Sequence, residues 1–246
     1  IHDDIMDNAS LRRNSPTVHS KWNNNIAILS GDALLVKSYM MLLKLDAKVQ
    51  NQVIDKFSKT AITVCEGQQM DMDFENNNNL ILDDYIKMIE KKTSVLFASS
   101  FEIGAIIGGA TKIDQSLIYQ FGLNLGIAFQ LQDDLLDLYG NKSKFGKKIG
   151  GDITANKKTY LYLKSLTLAN KKQKEELLNL YSGKWFNEIE KIDSVRSIFD
   201  DLGLYDITIK TIKSYHNLAL DNLKDISLKN KEGLNYFVDL LIKREV

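Results

Sequence analysis

The sequence predicts an all-α protein: a bundle of long, mostly antiparallel helices around a deep central cavity. The 246 residues contain one Pro and 14 Gly, too few breakers to cut the chain into short elements. Apolar residues recur with helical period over several long stretches. A hydrophobic content of 44% is enough for one sizeable core, so residues 1–246 read as a single domain.

In chain order, the first residues resemble the end of a helix whose start lies upstream of Ile1. Asn8 to Asn25 reads as a loop, with Arg12, Arg13 and Pro16 in it and His19 on the surface. Ile26 to Leu45 carries a helical period around Gly31-Asp32, and Asp46 to Glu66 is a second, more amphipathic helix. Gln68, Asp71 and Asp73 then follow at a helix end leading into a loop, and Asn76 to Asn79 is a solvated turn. Asp83 is placed to cap a helix running through Tyr85, Ile89 and Phe97, with Lys92-Thr93 inside it. Gly104, Ala105, Gly108, Gly109 and Ala110 permit close helix approach or leave room in a pocket. A long apolar helix starts near Ile113 and ends in the acidic run around Asp133. A Gly- and Lys-rich loop follows, Phe145 to Asp152, and the pattern from Tyr160 onward is helical, with turns near Ser182-Gly183, Leu202-Gly203 and Glu232-Gly233.

Composition excludes several classes. Thirty-two basic and 32 acidic residues give a net charge of +0, so a nucleic-acid footprint is not indicated. Cys65 is the sole cysteine, which rules out an internal disulfide and fits a reducing, cytoplasmic setting. No unbroken apolar run reaches the ~18 residues of a membrane span, so no transmembrane segment is expected.

The chemistry concentrates in two copies of one spacing. Asp133-Asp134-Leu135-Leu136-Asp137 and Asp3-Asp4-Ile5-Met6-Asp7 both read D-D-x-x-D. On a helix the first and last carboxylates of each lie one turn apart on one face, while the middle one is displaced by about 100°. Such pairs repel unless a cation neutralises them. All-oxygen ligands without His or Cys suit hard cations, and Mg²⁺ is usually held by one or two carboxylates plus substrate phosphates. Two such clusters facing each other would bind a diphosphate through bridging Mg²⁺. Arg12 and Arg13 can grip phosphate oxygens bidentately, and Lys92 can act as a point charge. The 145–152 loop can fold over a polyanion, but it lacks the P-loop pattern.

These residues resemble the polyprenyl synthetase family, the trans-isoprenyl diphosphate synthases of the farnesyl and geranylgeranyl type. The resemblance rests on both aspartate motifs, Arg12-Arg13, Phe129-Gln130, Gly31-Asp32, Gly67-Gln68 with Asp71, Lys92-Thr93, and Gly146-Lys147-x-x-Gly150-x-Asp152 with Lys157. It implies an isoprenoid-synthase bundle, a homodimer, and condensation of isopentenyl diphosphate with an allylic diphosphate. By the same resemblance Asp3, Asp7 and Asp133 are Mg²⁺ ligands, with Mn²⁺ a substitute, and Asp4, Asp134 and Asp137 complete the shell directly or through water. Arg12, Lys92 and Lys147 hold the allylic diphosphate, and Arg13 contacts isopentenyl diphosphate. Gln130, Thr93 and Lys157 line the allylic side, supported by Gln68 and Asp71. Lys92, Lys147 and Asp133 are the catalytic residues implied. The family's other isopentenyl-binding Lys and Arg would lie upstream of Ile1, so a piece beginning there is expected to bind its substrates weakly and to be inactive alone.

Three other readings fit less well. A class I terpene cyclase carries an N/D-S/T-E second motif in place of a second D-D-x-x-D. Squalene and phytoene synthases carry D-x-x-x-D motifs. A non-catalytic modulatory subunit typically loses one aspartate motif, and both are intact here.

Overall fold

The computed structural model describes residues 1–77, 79–140, 149–183, 187–227 and 231–242, and it is helical almost throughout. The chain divides into two compact units, Ile1–Lys59 and Thr60–Val246.

The first unit holds α1 (His2–Met6), a hairpin of β1 (Leu11–Arg12) and β2 (Ser15–Pro16), α2 (Val18–Lys21), α3 (Asn24–Leu42) and the start of α4 (Ala47–Asn76). The hairpin replaces the plain loop expected over Asn8 to Asn25. Its antiparallel register pairs Leu11 with Pro16 and Arg12 with Ser15. Arg13 and Asn14, at φ 51° and 62°, supply the two left-handed residues that a tight two-residue turn demands. Gly31 lets α1 lie against α3, because a Cβ there would sit 2.3 Å from the His2 imidazole. His2 Nε2 lies 3.0 Å from the Ile28 carbonyl and 3.5 Å from Asp32. Tyr39 fastens α3 to α4 through an edge-on contact with Phe57 and a 2.9 Å hydrogen bond to Ser58.

By length and average hydropathy α3 could cross a membrane, alone among the described residues. Asp32 and Lys37 interrupt it, so it holds no unbroken apolar run of that length. Leu29, Val36, Met40 and Met41 on this helix are all exposed.

The second unit is built around α7 (Lys112–Tyr139). Thr111 caps it, accepting the Asp114 amide at 3.1 Å. Two helices run antiparallel along it: α6 (Val95–Ile107), and α12 (Leu204–Lys224), whose Ala219 and Leu223 meet Ile118, Phe121 and Leu125. Around the other end of α7, Leu131, Leu135 and Leu138 share a core with α5 (Leu82–Ile89), α9 (Tyr160–Leu168), α10 (Lys171–Ser182) and α11 (Glu188–Asp201). A single-turn helix α8 (Gly151–Thr154) follows α7, and α13 (Glu232–Ile242) closes the described chain.

Other expectations change as well. Helix α4 runs on to Asn76, so Gln68, Asp71 and Asp73 lie within a helix and not at its end. Gly67 does not break it; a Cβ there would lie 2.3 Å from the Lys92 backbone nitrogen, so the glycine permits a close crossing. The helix through Tyr85 and Phe97 is interrupted by a π-turn at Glu90–Ser94, and it starts with Asp84, not Asp83, reaching back to the Ile81 amide at 3.1 Å. Of the two readings of the small-residue series, close helix approach is absent at Gly104 and Gly109 and occurs on α7. Nothing lies within 4 Å of a Cβ at those two positions, whereas one at Gly122 would meet Ala98 Cα at 2.6 Å and one at Gly126 would meet Ser94 Cα at 2.5 Å. Finally, Glu232-Gly233 opens α13 and does not form a turn after it.

Candidate active site

The first aspartate motif lies on α1, with Asp7 as its C-cap. Asp4 is buried and accepts Arg12 Nε at 2.5 Å, while Arg12 Nη2 reaches Asp3 at 3.1 Å. The hairpin therefore delivers Arg12 back onto the motif that precedes it. The Asp4 hydrogen bond, helped by the charges of Asp4, Asp3 and Asp7, raises the guanidinium pKa further, against the opposing effect of partial burial. Arg13 stays exposed at the turn.

The second motif sits in the last turns of α7. Asp133 and Asp137 are partly exposed, one turn apart, whereas Asp134 is buried at 4% exposure. The Tyr85 hydroxyl donates to Asp134 at 2.5 Å, the Gln130 amide at 3.1 Å and the Tyr160 backbone N–H at 3.3 Å. Burial, with Asp152 nearby, nevertheless pushes the Asp134 carboxyl up to about 8. Asp137 is held from the other side: its carboxylate accepts the Asp152 N–H at 3.0 Å and its carbonyl accepts the Gly150 N–H at 2.7 Å.

A polar row connects this motif to α4 and the π-turn. Thr93 donates to Gln130 at 3.0 Å, so one glutamine joins Thr93 to Asp134. Lys92 pairs with Asp71 at 2.6 Å, and the adjacent Lys91 pairs with Glu66 at 2.8 Å. The π-turn widens the helix by one residue per turn, a device that recurs at functional sites. The Gln68 Nε2 is buried in the same stretch of α4, two residues before Met70 and three before Asp71. Lys157 follows α8, its backbone N–H bonded to the Asp152 carbonyl at 2.8 Å. Lys147 and the rest of the Phe145–Lys148 segment lie outside the described residues. The two motifs belong to different units.

Among the described residues no three His, Cys, Asp or Glu side chains gather closely enough to form a metal cage. Partly exposed carboxylate pairs fit a hard cation that takes its remaining ligands from water and phosphate.

Residues 1–199 match the Polyprenyl synthetase family. The chain belongs to that family. It is a prenyltransferase by kinship with relatives such as the geranylgeranyl diphosphate synthase of Sulfolobus acidocaldarius, 36% identical over 99% of this chain and 76% of that protein. A crystal structure of a geranylgeranyl pyrophosphate synthase superimposes with a TM-score of 0.93 at 43% identity, covering 100% of this chain and 76% of the other. A polyprenyl synthase from Caulobacter crescentus, complexed with calcium and isoprenyl diphosphate, gives 0.89 at 26% identity, covering 100% and 74%. The expected all-α prenyl synthase fold is thus the one found.

Two polar anchors of this family member escape a reading of motifs. Lys158, next to Lys157, donates to the carbonyls of Phe74, Glu75 and Asn77 at 3.0, 3.1 and 2.7 Å and so caps the end of α4. Lys191 on α11 is buried, and its ammonium donates to the Ile153 carbonyl at 2.6 Å. The only hint in the sequence is the type of residue, since the backbone acceptors include oxygens 84 and 38 positions away.

Proposed function

We propose that this polyprenyl synthetase condenses isopentenyl diphosphate, head to tail, with an allylic diphosphate, giving a short-chain prenyl diphosphate and pyrophosphate. The observation that carries the reading is the division of labour in the second motif. Asp133 and Asp137 remain partly exposed one turn apart, while Asp134 between them is engaged inward by Tyr85, Gln130 and Tyr160. Asp133 and Asp137 thus share one helix face, the donor set a Mg²⁺–diphosphate complex takes.

In this reading Asp3 and Asp7 serve the first motif as Asp133 and Asp137 serve the second, with Asp4 and Asp134 standing behind them through Arg12 and Gln130. Bound Mg²⁺ would neutralise the negative charge that builds on the departing pyrophosphate. By resemblance to the family, Arg12, Lys92 and Lys147 would hold the allylic diphosphate with Lys157 on the allylic side, and Arg13 would contact isopentenyl diphosphate. The allylic C–O bond then breaks with its electron pair leaving on pyrophosphate. The double bond of isopentenyl diphosphate attacks the resulting cation, a C–C bond forms, and a proton lost to pyrophosphate restores neutrality. Asp71 pairs with Lys92, and in this reading Thr93, Gln130 and Gln68 would line the allylic side, where apolar helix faces would exclude the water that quenches the cation. Mn²⁺ can replace Mg²⁺, since both favour oxygen ligands.

The exposed apolar side chains of α3 support a homodimer, with that helix in the interface. A membrane span is the weaker reading, because Asp32 and Lys37 near its middle would each cost ~2.5–3.5 kcal/mol in a bilayer. We place the protein in the cytoplasm as one catalytic domain. The test is Mg²⁺-dependent condensation of isopentenyl diphosphate with C5, C10 and C15 allylic diphosphates by the full-length protein. Labelled prenyl diphosphate product supports the proposal; a folded protein that yields none points to a modulatory subunit.

A further inference from the structure

Lys191 is 2% exposed, on a helix that carries no aspartate motif. Its ammonium donates to the Ile153 carbonyl at 2.6 Å and to the Asn156 side-chain oxygen, and it lies 5.2 Å from the Tyr181 ring centre. A buried ammonium costs far more than a methionine of the same shape, and its burial is tolerated only because acceptors surround it. Both of its acceptors belong to one short segment, 150–157.

That segment has an unusual backbone. Gly150 at φ 73° opens α8, and Asn156, a non-glycine residue at φ 56°, follows it. A Cβ at Gly150 would lie 2.8 Å from Ile192, the neighbour of Lys191, so α11 packs directly beneath the turn. The segment's other end holds Asp137, through the Gly150 N–H to its carbonyl and the Asp152 N–H to its carboxylate. Lys157 is the next residue after Asn156, and its own N–H closes back on Asp152. One ammonium thus grips the strained turn between an aspartate of the second motif and a lysine of the candidate site.

We propose that Lys191 is a positioning residue, which fixes the 150–157 turn and through it the orientation of the Asp137 carboxylate and the origin of the Lys157 side chain. The inference rests on the synthase reading for its consequence, diphosphate binding, but not for the ordering of the turn. Outer partners of this kind typically change metal affinity about 10–100-fold when removed.

The test uses the full-length protein as wild type, Lys191→Met, which keeps the buried stem, and Asn156→Gly, which keeps the positive φ but removes one acceptor. Amide hydrogen exchange is followed without metal, and binding of Mg²⁺ plus inorganic pyrophosphate by calorimetry. In Lys191→Met, the Asp152 and Lys157 amides are expected to exchange about tenfold faster or more, amides near Leu125 in mid-α7 to keep their rates, and Mg²⁺–pyrophosphate affinity to fall about tenfold. Unchanged exchange at 150–157, or equal loosening of the whole chain, overturns the proposal. If Lys191→Met does not fold, Asn156→Gly decides: faster exchange confined to 150–157 supports the role, and none overturns it. A wild-type protein that ignores Mg²⁺–pyrophosphate would count against the synthase reading, while the exchange result would still judge Lys191.

Discussion

The Tyr85 hydroxyl donates a 2.5 Å hydrogen bond to Asp134, tying α5 to the middle carboxylate of the second aspartate motif inside the core. Burial and Asp152 raise the Asp134 carboxyl to about 8, so the folded protein holds a proton there that the unfolded chain releases near pH 4. Between those values the folded state binds the extra proton, and stability falls as pH rises through the window toward 8. With metal chelated, wild type is expected to lose stability relative to Asp134→Asn between pH 5.5 and 8.5, measured by urea unfolding. A constant difference across that range would contradict the assignment.

Tyr85→Phe removes one donor from this carboxyl and leaves the oxygen buried. The expected cost is about 1–3 kcal/mol, read as a lower urea midpoint at unchanged slope.

The crossing of α7 with the π-turn and the open face of α6 predict opposite signs for two Gly→Ala changes. At Gly126 the new methyl would lie 2.5 Å from Ser94 Cα, and forcing backbones apart there should cost about 1–3 kcal/mol. At Gly104, exposed within α6 with nothing in 4 Å, alanine should stabilise by up to ~1 kcal/mol through helix propensity. Thermal melts of the two variants check both signs.

The exposed apolar side chains of α3 predict a subunit contact. Sedimentation should give a dimer for wild type and a monomer for a Leu29→Asp, Val36→Asp double variant. A monomeric wild type would remove the interface.

The helical class was legible because it follows from the scarcity of Pro and Gly and from local periodicity. The aspartate motifs were legible because a five-residue spacing on a helix fixes which carboxylates share a face. The 100° offset of the middle aspartate also foretells that Asp134 leaves that face, but not that Tyr85, 49 residues earlier, receives it. The continuation of α4 was hidden by Gly67, which reads locally as a breaker and acts through a contact with Lys92. The π-turn alters no residue type, and Lys158 and Lys191 act on distant backbone oxygens, so none of the three leaves a pattern in one dimension.

The measurement that bears most directly on the synthase reading is calorimetry of an unreactive allylic diphosphate analogue with this chain, with and without Mg²⁺, for wild type and Asp133→Asn. Binding that requires Mg²⁺ and weakens at least tenfold in the variant is the expected result, because a lost carboxylate ligand removes charge and geometry together. A folded chain that binds the analogue equally well without Mg²⁺, or equally well without the Asp133 carboxylate, would contradict it.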